Sequence, residues 1–253
     1  MSRRSFRHHA ALASRKDARN AVRAARAAHA GWAARSGYQR GQLLYRIAEL
    51  LQGRRHQLAG DLEALGSSPG EARTKIDGAI ASWVWYAGWA DKYAQVLGNP
   101  NPVAGPFASV SVPEPVGVVA TLAPPDHALA GLVAAVAPAL ATGNTVVALA
   151  SFAAPLPAAT LAEVLATSDV PPGVVNILTG EPRDIVGWLA SHADVDALDL
   201  SGAAALDRAA LEAAAAETLT TVVRPAQDPT ARSLARLAAL TETKTVWQTS
   251  SEL

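Results

Sequence analysis

The chain has 253 residues, half of them apolar and 17% charged, with 22 Lys and Arg balanced by 22 Asp and Glu. That length carries one large or two small domains with a true core, and a formal net charge of zero gives no whole-molecule field to draw nucleic acid or an acidic membrane. Cysteine is absent, which excludes disulfides, thiolate zinc sites and thiol chemistry and fits a reducing, cytoplasmic setting.

Residues 1–15 read as a basic, flexible tail. Arg3, Arg4, Arg7 and Arg15 lead a run continued by Lys16, Arg19, Arg23, Arg26 and Arg35, with Asp17 as its one acid. An Arg-rich, acid-poor start has the composition of an organelle presequence. The helical pattern beginning near Lys16 leaves little room for one, so a solvated helix face behind a ragged tail is expected. Residues 16–100 form a helical segment: Leu43, Leu44, Ile47, Leu50 and Leu51 make one apolar stripe, Leu58, Leu62 and Leu65 another, and Gly53 interrupts between them. Trp85, Trp89 and Tyr93 follow at four-residue steps with Trp83 and Tyr86 beside them. That spacing predicts core packing rather than a ligand-stacking box.

Asn99, Pro100, Asn101, Pro102, Gly105 and Pro106 then predict a linker or turn. Phe107 to Val112 alternates like a half-exposed strand, which Pro113 and Pro115 are expected to end.

From Pro115 onward the period switches to alternating strands and helices, the pattern of a parallel sheet with crossovers. Strands are predicted at Val116 to Leu122, Asn144 to Leu149, Val174 to Leu178, Ala197 to Leu200 and Leu219 to Val223. Helices are predicted at Leu129 to Ala141, Leu156 to Thr167 and Asp184 to His192, with a further one ending near Glu217. On the first of these, Leu129, Leu132, Val133, Val136 and Leu140 share a face, and Gly143 supplies the turn after it. Residues 116–224 therefore read as an α/β domain, a doubly wound parallel sheet of about five strands. Between Asp126 and Glu163 only His127 is ionisable. Pro138, Gly143, Asn144, Pro155 and Pro157 divide that stretch into pieces too short for the roughly 20 residues of a membrane span, and a strand and helix buried on both faces give the same apolar run.

Residues 225–253 break the rhythm: Pro225, Asp228 and Pro229 form a loop, Ala231 to Leu240 a short helix, and Thr243 to Gln248 a strand without a sequence-adjacent partner. No G-x-G-x-x-G follows a strand, and no Walker loop, G-x-S-x-G elbow or H-E-x-x-H helix occurs. The six histidines lack ligand spacing, and His8 and His9 lie in the tail, so no metal site is expected.

Four ordered blocks carry a more specific likeness: Glu114-Pro115-Val116-Gly117-Val118-Val119; Ala137-Pro138-Ala139-Leu140 followed by Gly143-Asn144-Thr145-Val146-Val147; Pro171-Pro172-Gly173-Val174-Val175-Asn176; and His192-Ala193-Asp194-Val195-Asp196 closing on Ser201-Gly202. In order and spacing this resembles the aldehyde dehydrogenase family, and Tyr86-Ala87-Gly88-Trp89-Ala90 resembles its amino-terminal segment. The likeness implies an NAD-binding-type, Rossmann-like domain over 116–224. Thr241-Glu242-Thr243-Lys244-Thr245-Val246-Trp247 resembles the family's closing carboxyl-terminal strand. By that likeness residues 101–115 are the first part of a small oligomerisation arm, and residues 225–253 its linker and closing strand. A narrower similarity is to the degenerate second module of two-module aldehyde dehydrogenases.

The working residues implied by the resemblance are mostly altered. Where the family shows a proline, a tryptophan and an oxyanion-stabilising asparagine, this chain has Pro124, Pro125 and Asp126; a carboxylate accepts where a donor is required and repels developing negative charge. His127 beside it makes no expected acid–base pair, since neighbours at a strand–helix turn point apart. The family's Lys-Pro-Ser-Glu after the second strand, which holds the adenosine ribose, is Leu149, Ala150, Ser151 and Phe152. Its Thr-Gly-Ser near the cofactor phosphates is Ser201, Gly202 and Ala203, and Asp207 replaces the next glycine. The candidate cofactor-binding residues are thus Ser151, Ser201 and Gly202, while Leu149, Phe152 and Ala203 stand where the family's polar side chains would touch the cofactor and offer none. NAD(P) binding follows from the resemblance alone, and no cofactor is expected.

In place of Glu-Leu-Gly-Gly-Lys with its general base, and of the catalytic domain with its cysteine, the chain runs from Val223 into Arg224 and Pro225. No catalytic residue is therefore assigned. The expectation is a non-catalytic family member, a structural or regulatory subunit that joins itself or an intact aldehyde dehydrogenase through its arm by strand addition, with no nucleic-acid or membrane partner. The alternative is a residual NAD(P)-dependent oxidoreductase or dinucleotide-binding sensor. A remnant without a selected role would lose the clean core stripes and β-branched arm composition that this chain keeps.

Overall fold

The computed structural model describes residues 10–224 and 227–249. Its amino-terminal part is five helices: α1 (Arg15–Ala33), α2 (Gly37–Gly53), α3 (Arg55–Ala64), α4 (Pro69–Trp89) and α5 (Tyr93–Leu97). Three start at reciprocal capping boxes, Ser14 with Asp17, Ser36 with Gln39 and Ser68 with Glu71, which satisfy backbone donors a helix start leaves open. Leu44, Ile47, Leu51, Leu58 and Leu62 are buried as the stripes predict, whereas Leu65 lies just past the end of α3 and is exposed. Trp83 and Tyr86 are fully buried, and Trp85 and Trp89 pack partly buried against the same core. The aromatic cluster is core.

The predicted tail is docked where it is described. Ahead of α1, the Ala13 amide donates to the Thr179 carbonyl at 2.7 Å, and the Thr179 hydroxyl donates to the Ala11 carbonyl at 2.6 Å. These bonds tie residues 11–13 to the end of a sheet strand, a long-range pairing that local composition does not encode. Residues 1–9 of that tail, with His8 and His9, lie outside the described residues.

The parallel sheet consists of β3 (Val118–Leu122), β4 (Thr145–Leu149), β5 (Val175–Leu178), β6 (Ala197–Asp199) and β7 (Thr221–Val223), in the order β5-β4-β3-β6-β7. Its crossovers are α6 (Ala130–Thr142), α7 (Leu156–Ala166), α8 (Pro182–Ala190) and α9 (Arg208–Ala216). Every residue of β3 and β4 is buried, because helices cover both faces: α6 with α2 and α4 on one, α1 and α8 on the other. The expected single apolar face of α6 is too narrow, since every residue from Gly131 to Thr142 is buried. Pro138 does not divide the helix but lies inside it. Such a helix is apolar all round because it is enclosed all round. Among the described residues no helix is long and apolar enough to cross a membrane.

Gly143, at φ 94°, ends α6 in the left-handed conformation. The next side chain, fully buried Asn144, accepts from the Gly117 amide at 2.8 Å and donates to the Thr142 hydroxyl at 2.8 Å and the Leu240 carbonyl at 2.9 Å. One amide thus joins the start of β3, the end of α6 and the entry to the carboxyl-terminal strand. Buried Arg40 of α2 donates to the Ala141 carbonyl at 3.1 Å, placing a cation at the carbonyl end of α6.

A second sheet is antiparallel, in the order β1 (Asn99–Asn101), β2 (Phe107–Pro115) and β8 (Thr241–Thr249). The expected linker at Asn99 to Asn101 is therefore a strand, paired with Ser109 to Ser111. Nor do Pro113 and Pro115 end β2, which continues through both opposite Thr243 and Thr241. Beyond Ser111 the strand has, among the described residues, a paired neighbour on one side only, and proline is tolerated at such edge positions. Between β7 and β8, residues 224–240 contribute α10 (Leu234–Ala238). Pro225 lies outside the described residues.

Candidate functional site

The strand order reverses beside β3: β4 and β5 extend to one side of it, β6 and β7 to the other. In open α/β sheets, ligands bind outside the carboxyl ends of the strands at such a switch point. A hollow of about 290 Å³ lies there. Leu122 and Ala123 end β3 within it, Leu149 to Phe152 leave β4, Gly202, Ala205 and Leu206 follow β6, and Glu181 with Arg183 stands at the start of α8.

Of the predicted candidates, Ser151 and Gly202 meet at this hollow and Ser201 does not line it. Buried Ser151 donates its hydroxyl to the Pro125 carbonyl at 3.0 Å, bracing the loop after β3. Gly202 is fixed by packing, since a Cβ there would stand 2.6 Å from the Leu122 carbonyl oxygen and 2.5 Å from that of Ala123. Leu149 and Ala203 are buried, while Phe152 is exposed at the rim. Asp207 caps α9, accepting from the Ala210 amide at 3.1 Å; its place in the motif has a helix-capping role.

Asp126 and His127 are exposed and line a separate hollow of about 240 Å³ with Leu62, Lys75 and Ala153. No hydrogen bond joins their side chains among the described residues. Nearby, the Thr230 hydroxyl and amide hold the Asp228 carboxyl below the usual carboxylate range, with a smaller contribution from His127. Among the described residues, neither hollow combines a nucleophile, a base and an orienting group within hydrogen-bond reach. Among the described residues no group of three or more His, Asp or Glu could hold a metal ion.

Sequence reasoning missed a buried ion pair. Asp199, at the end of β6, accepts from the Arg236 guanidinium of α10 at 2.9 Å, and their side chains are 1% and 8% exposed. The other Asp199 oxygen accepts from the Ser201 amide at 2.9 Å and the Ser201 hydroxyl at 2.6 Å. Ser201 thus faces the carboxylate of its own chain. Tyr86, Thr121 and Arg236 each keep one buried polar atom without a hydrogen-bond partner among the described residues. Burial pushes the Tyr86 phenol up, and the nearby Arg236 charge partly offsets this. The one sequence signal was an acid inside the apolar run Ala197 to Leu200.

A doubly wound sheet with a crevice at its switch point, flanked by a helical layer and a projecting three-stranded arm, defines a Rossmann-like class of protein. The sequence pattern of the aldehyde dehydrogenase family matches residues 4–224, and the chain belongs to that family. It is 34% identical over 213 residues to the cytosolic aldehyde dehydrogenase 1 of Elephantulus edwardii, covering 82% of this chain and 42% of that protein. To the mitochondrial aldehyde dehydrogenase of Rattus norvegicus it is 36% identical over 195 residues, 75% of this chain and 37% of the relative. The chain therefore spans about two fifths of the length of these relatives. Among solved structures, a putative aldehyde dehydrogenase from Burkholderia cenocepacia superposes with a TM-score of 0.78 at 29% identity, covering 85% of this chain and 45% of that one. PnpE in complex with nicotinamide adenine dinucleotide gives 0.78 at 27% identity, covering 84% and 43%.

Proposed function

We propose that this chain is a non-catalytic aldehyde dehydrogenase relative, a cytoplasmic structural or regulatory subunit that assembles through its arm with itself or with an intact aldehyde dehydrogenase. The observation carrying this reading is internal to the chain. The last strand of the cofactor-type sheet ends at Val223, the arm strand begins at Thr241, 17 positions separate them, and the described residues among these hold one five-residue helix. A catalytic domain has no place in that interval, and the 253 residues contain no cysteine to attack a carbonyl. The proposed units are a basic start over 1–15, a helical segment over 16–100, the first arm portion over 101–115, the cofactor-type domain over 116–224 and the closing arm over 225–253.

A second reading, a residual NAD(P)-dependent oxidoreductase or dinucleotide sensor, is favoured by the switch-point hollow and by the likeness to a protein solved with nicotinamide adenine dinucleotide. The lining does not fit such a ligand. A dinucleotide presents ribose hydroxyls and a diphosphate, whereas the Ser151 hydroxyl is engaged within the protein, Leu149 offers no polar side-chain group, Ser201 and Ala203 do not line the hollow, and among the described residues Arg183 is the one cationic side chain that does. With each missing polar contact worth on the order of 1 kcal/mol, the absence of the family's polar side chains at Leu149, Phe152 and Ala203 weakens binding by about a hundredfold or more. Titration calorimetry with NAD and NADP tests this: no saturable heat is expected up to roughly 1 mM ligand. Sub-millimolar binding would favour the second reading.

A further inference from the structure

We propose that two copies of this chain pair through the outer edges of their β8 strands, antiparallel and about a two-fold axis at Thr245. This rests on the reading that the arm is an assembly element, and it commits that reading to one partner and one edge. In the order β1-β2-β8, no strand among the described residues pairs with the side of β8 away from β2 along its nine residues from Thr241 to Thr249, and every residue after Thr241 is exposed. An open edge of that length is a template for another strand.

The sequence of β8 selects its own copy and the register. Pairing of Val110 with Val246 and of Ser111 with Thr245 places even-numbered residues on one face of the arm and odd-numbered residues on the other. A two-fold axis normal to the sheet keeps the faces in place, so only residues of like parity can stand opposite each other. Centring on Lys244 sets two like charges opposite each other, which is destabilising. Centring on Thr243 drives the tip, Val246 to Thr249, past the partner's Thr241 into the region of its α10. Centring on Thr245 aligns nine residues with nine and closes the assembly as an isologous dimer.

In that register no like charges are opposed. Glu242 stands across from Gln248 of the second copy, and the aliphatic stem of Lys244 across from its Val246. Within one chain Glu242 lies directly opposite Glu114, whose carboxylate takes Lys244 at 3.0 Å. An uncharged Gln248 therefore avoids adding a third carboxylate to the row. On the other face, Asn101 donates to Ser111 at 2.9 Å and Ser111 meets the Thr245 hydroxyl at 3.0 Å; the axis continues this polar row into the second copy's Thr245. Trp247, 62% exposed beside Phe107, falls across from Thr243 of the other copy, with that copy's Thr241 and Thr245 at the diagonal positions.

The chain lacks cysteine, so a single introduced thiol reports the register. Light scattering on the whole chain is expected to give twice its 26.1 kDa mass. Under mild oxidation Thr245→Cys is expected to form a covalent dimer at least tenfold faster than Gly31→Cys, a helix position away from the arm, because cross-strand Cβ atoms lie about 4.5–5.5 Å apart. Thr245→Lys, which sets two ammonium groups on the axis, is expected to give a monomer with unchanged far-UV circular dichroism. A dimer in which Thr245→Cys cross-links no faster than Gly31→Cys overturns the proposal. A monomer that co-elutes with a full-length aldehyde dehydrogenase overturns it while sparing the assembly function. A monomer that associates with neither overturns both.

Discussion

Asp199 and Arg236 show what a residue-level reading of this chain misses. They stand 37 positions apart, and neither alone marks a contact, because pairing arises only when residues after β7 fold back over the end of β6. Asn144 is similar: its place in the Gly-Asn-Thr block was legible, but its three-way hydrogen bonding depends on Leu240, which arrives from the far end of the sequence. The cofactor-site candidates divide on the same ground. All three follow sheet strands closely, and Ser151 and Gly202 reach the crevice, whereas Ser201 turns to a carboxylate two residues before it. Breaking the ion pair leaves a buried charge without its partner. Arg236→Ala is therefore expected to lower unfolding free energy by about 3–5 kcal/mol, and Asp199→Leu combined with Arg236→Leu by clearly less, since two apolar groups leave no charge to desolvate. Urea unfolding of the two variants checks this, and equal decreases would show that packing rather than charge dominates at this place.

Elements were the most legible scale in the sequence, because burial imposes its period on long segments. The five strands of the parallel sheet and their crossovers appear in the predicted order, with ends moved by one or two residues. The arm was harder. Its prolines suggested an early stop, and β1 holds only three residues, so its existence depends on β2 rather than on local preference. Helix starts carry a pH dependence that follows from their caps. The Ser68 amide and then its hydroxyl hold the Glu71 carboxyl below the usual range, as the Ser14 amide and hydroxyl do for Asp17. A carboxyl depressed in the folded state contributes stability above its unfolded pKa, and that contribution is lost as pH falls through the folded value. Glu71→Gln preserves the cap geometry without the charge. The native chain is expected to be the more stable near neutral pH, the gap closing as pH falls below about 4.3; parallel urea midpoints measured from pH 7 to pH 3 would contradict this.

At the scale of the whole molecule, the helical layer and the parallel sheet share one apolar core. Trp32, Leu44, Trp83 and Tyr86 from the helices join Val119, Val146 and Leu237 in the same cluster. The arm projects from it on β2 and β8, so the entry and exit strands of the arm are held in register by the body that α10 and Asn144 lock. The proposed assembly uses the open strand of the arm, and the same body holds a crevice where the Ser151 hydroxyl turns to the Pro125 carbonyl. Family membership was legible because the matching blocks are scaffold: turns, caps and strand starts that any sheet of this shape needs. Function was less so, because it depends on single side chains whose surroundings come from distant parts of the sequence. The most direct test is steady-state oxidation of simple aldehydes by the purified chain, with NAD and then NADP, followed as reduced cofactor. The proposed function predicts a rate no greater than the uncatalysed background at any aldehyde concentration; saturable, enzyme-proportional turnover by the chain alone would contradict it.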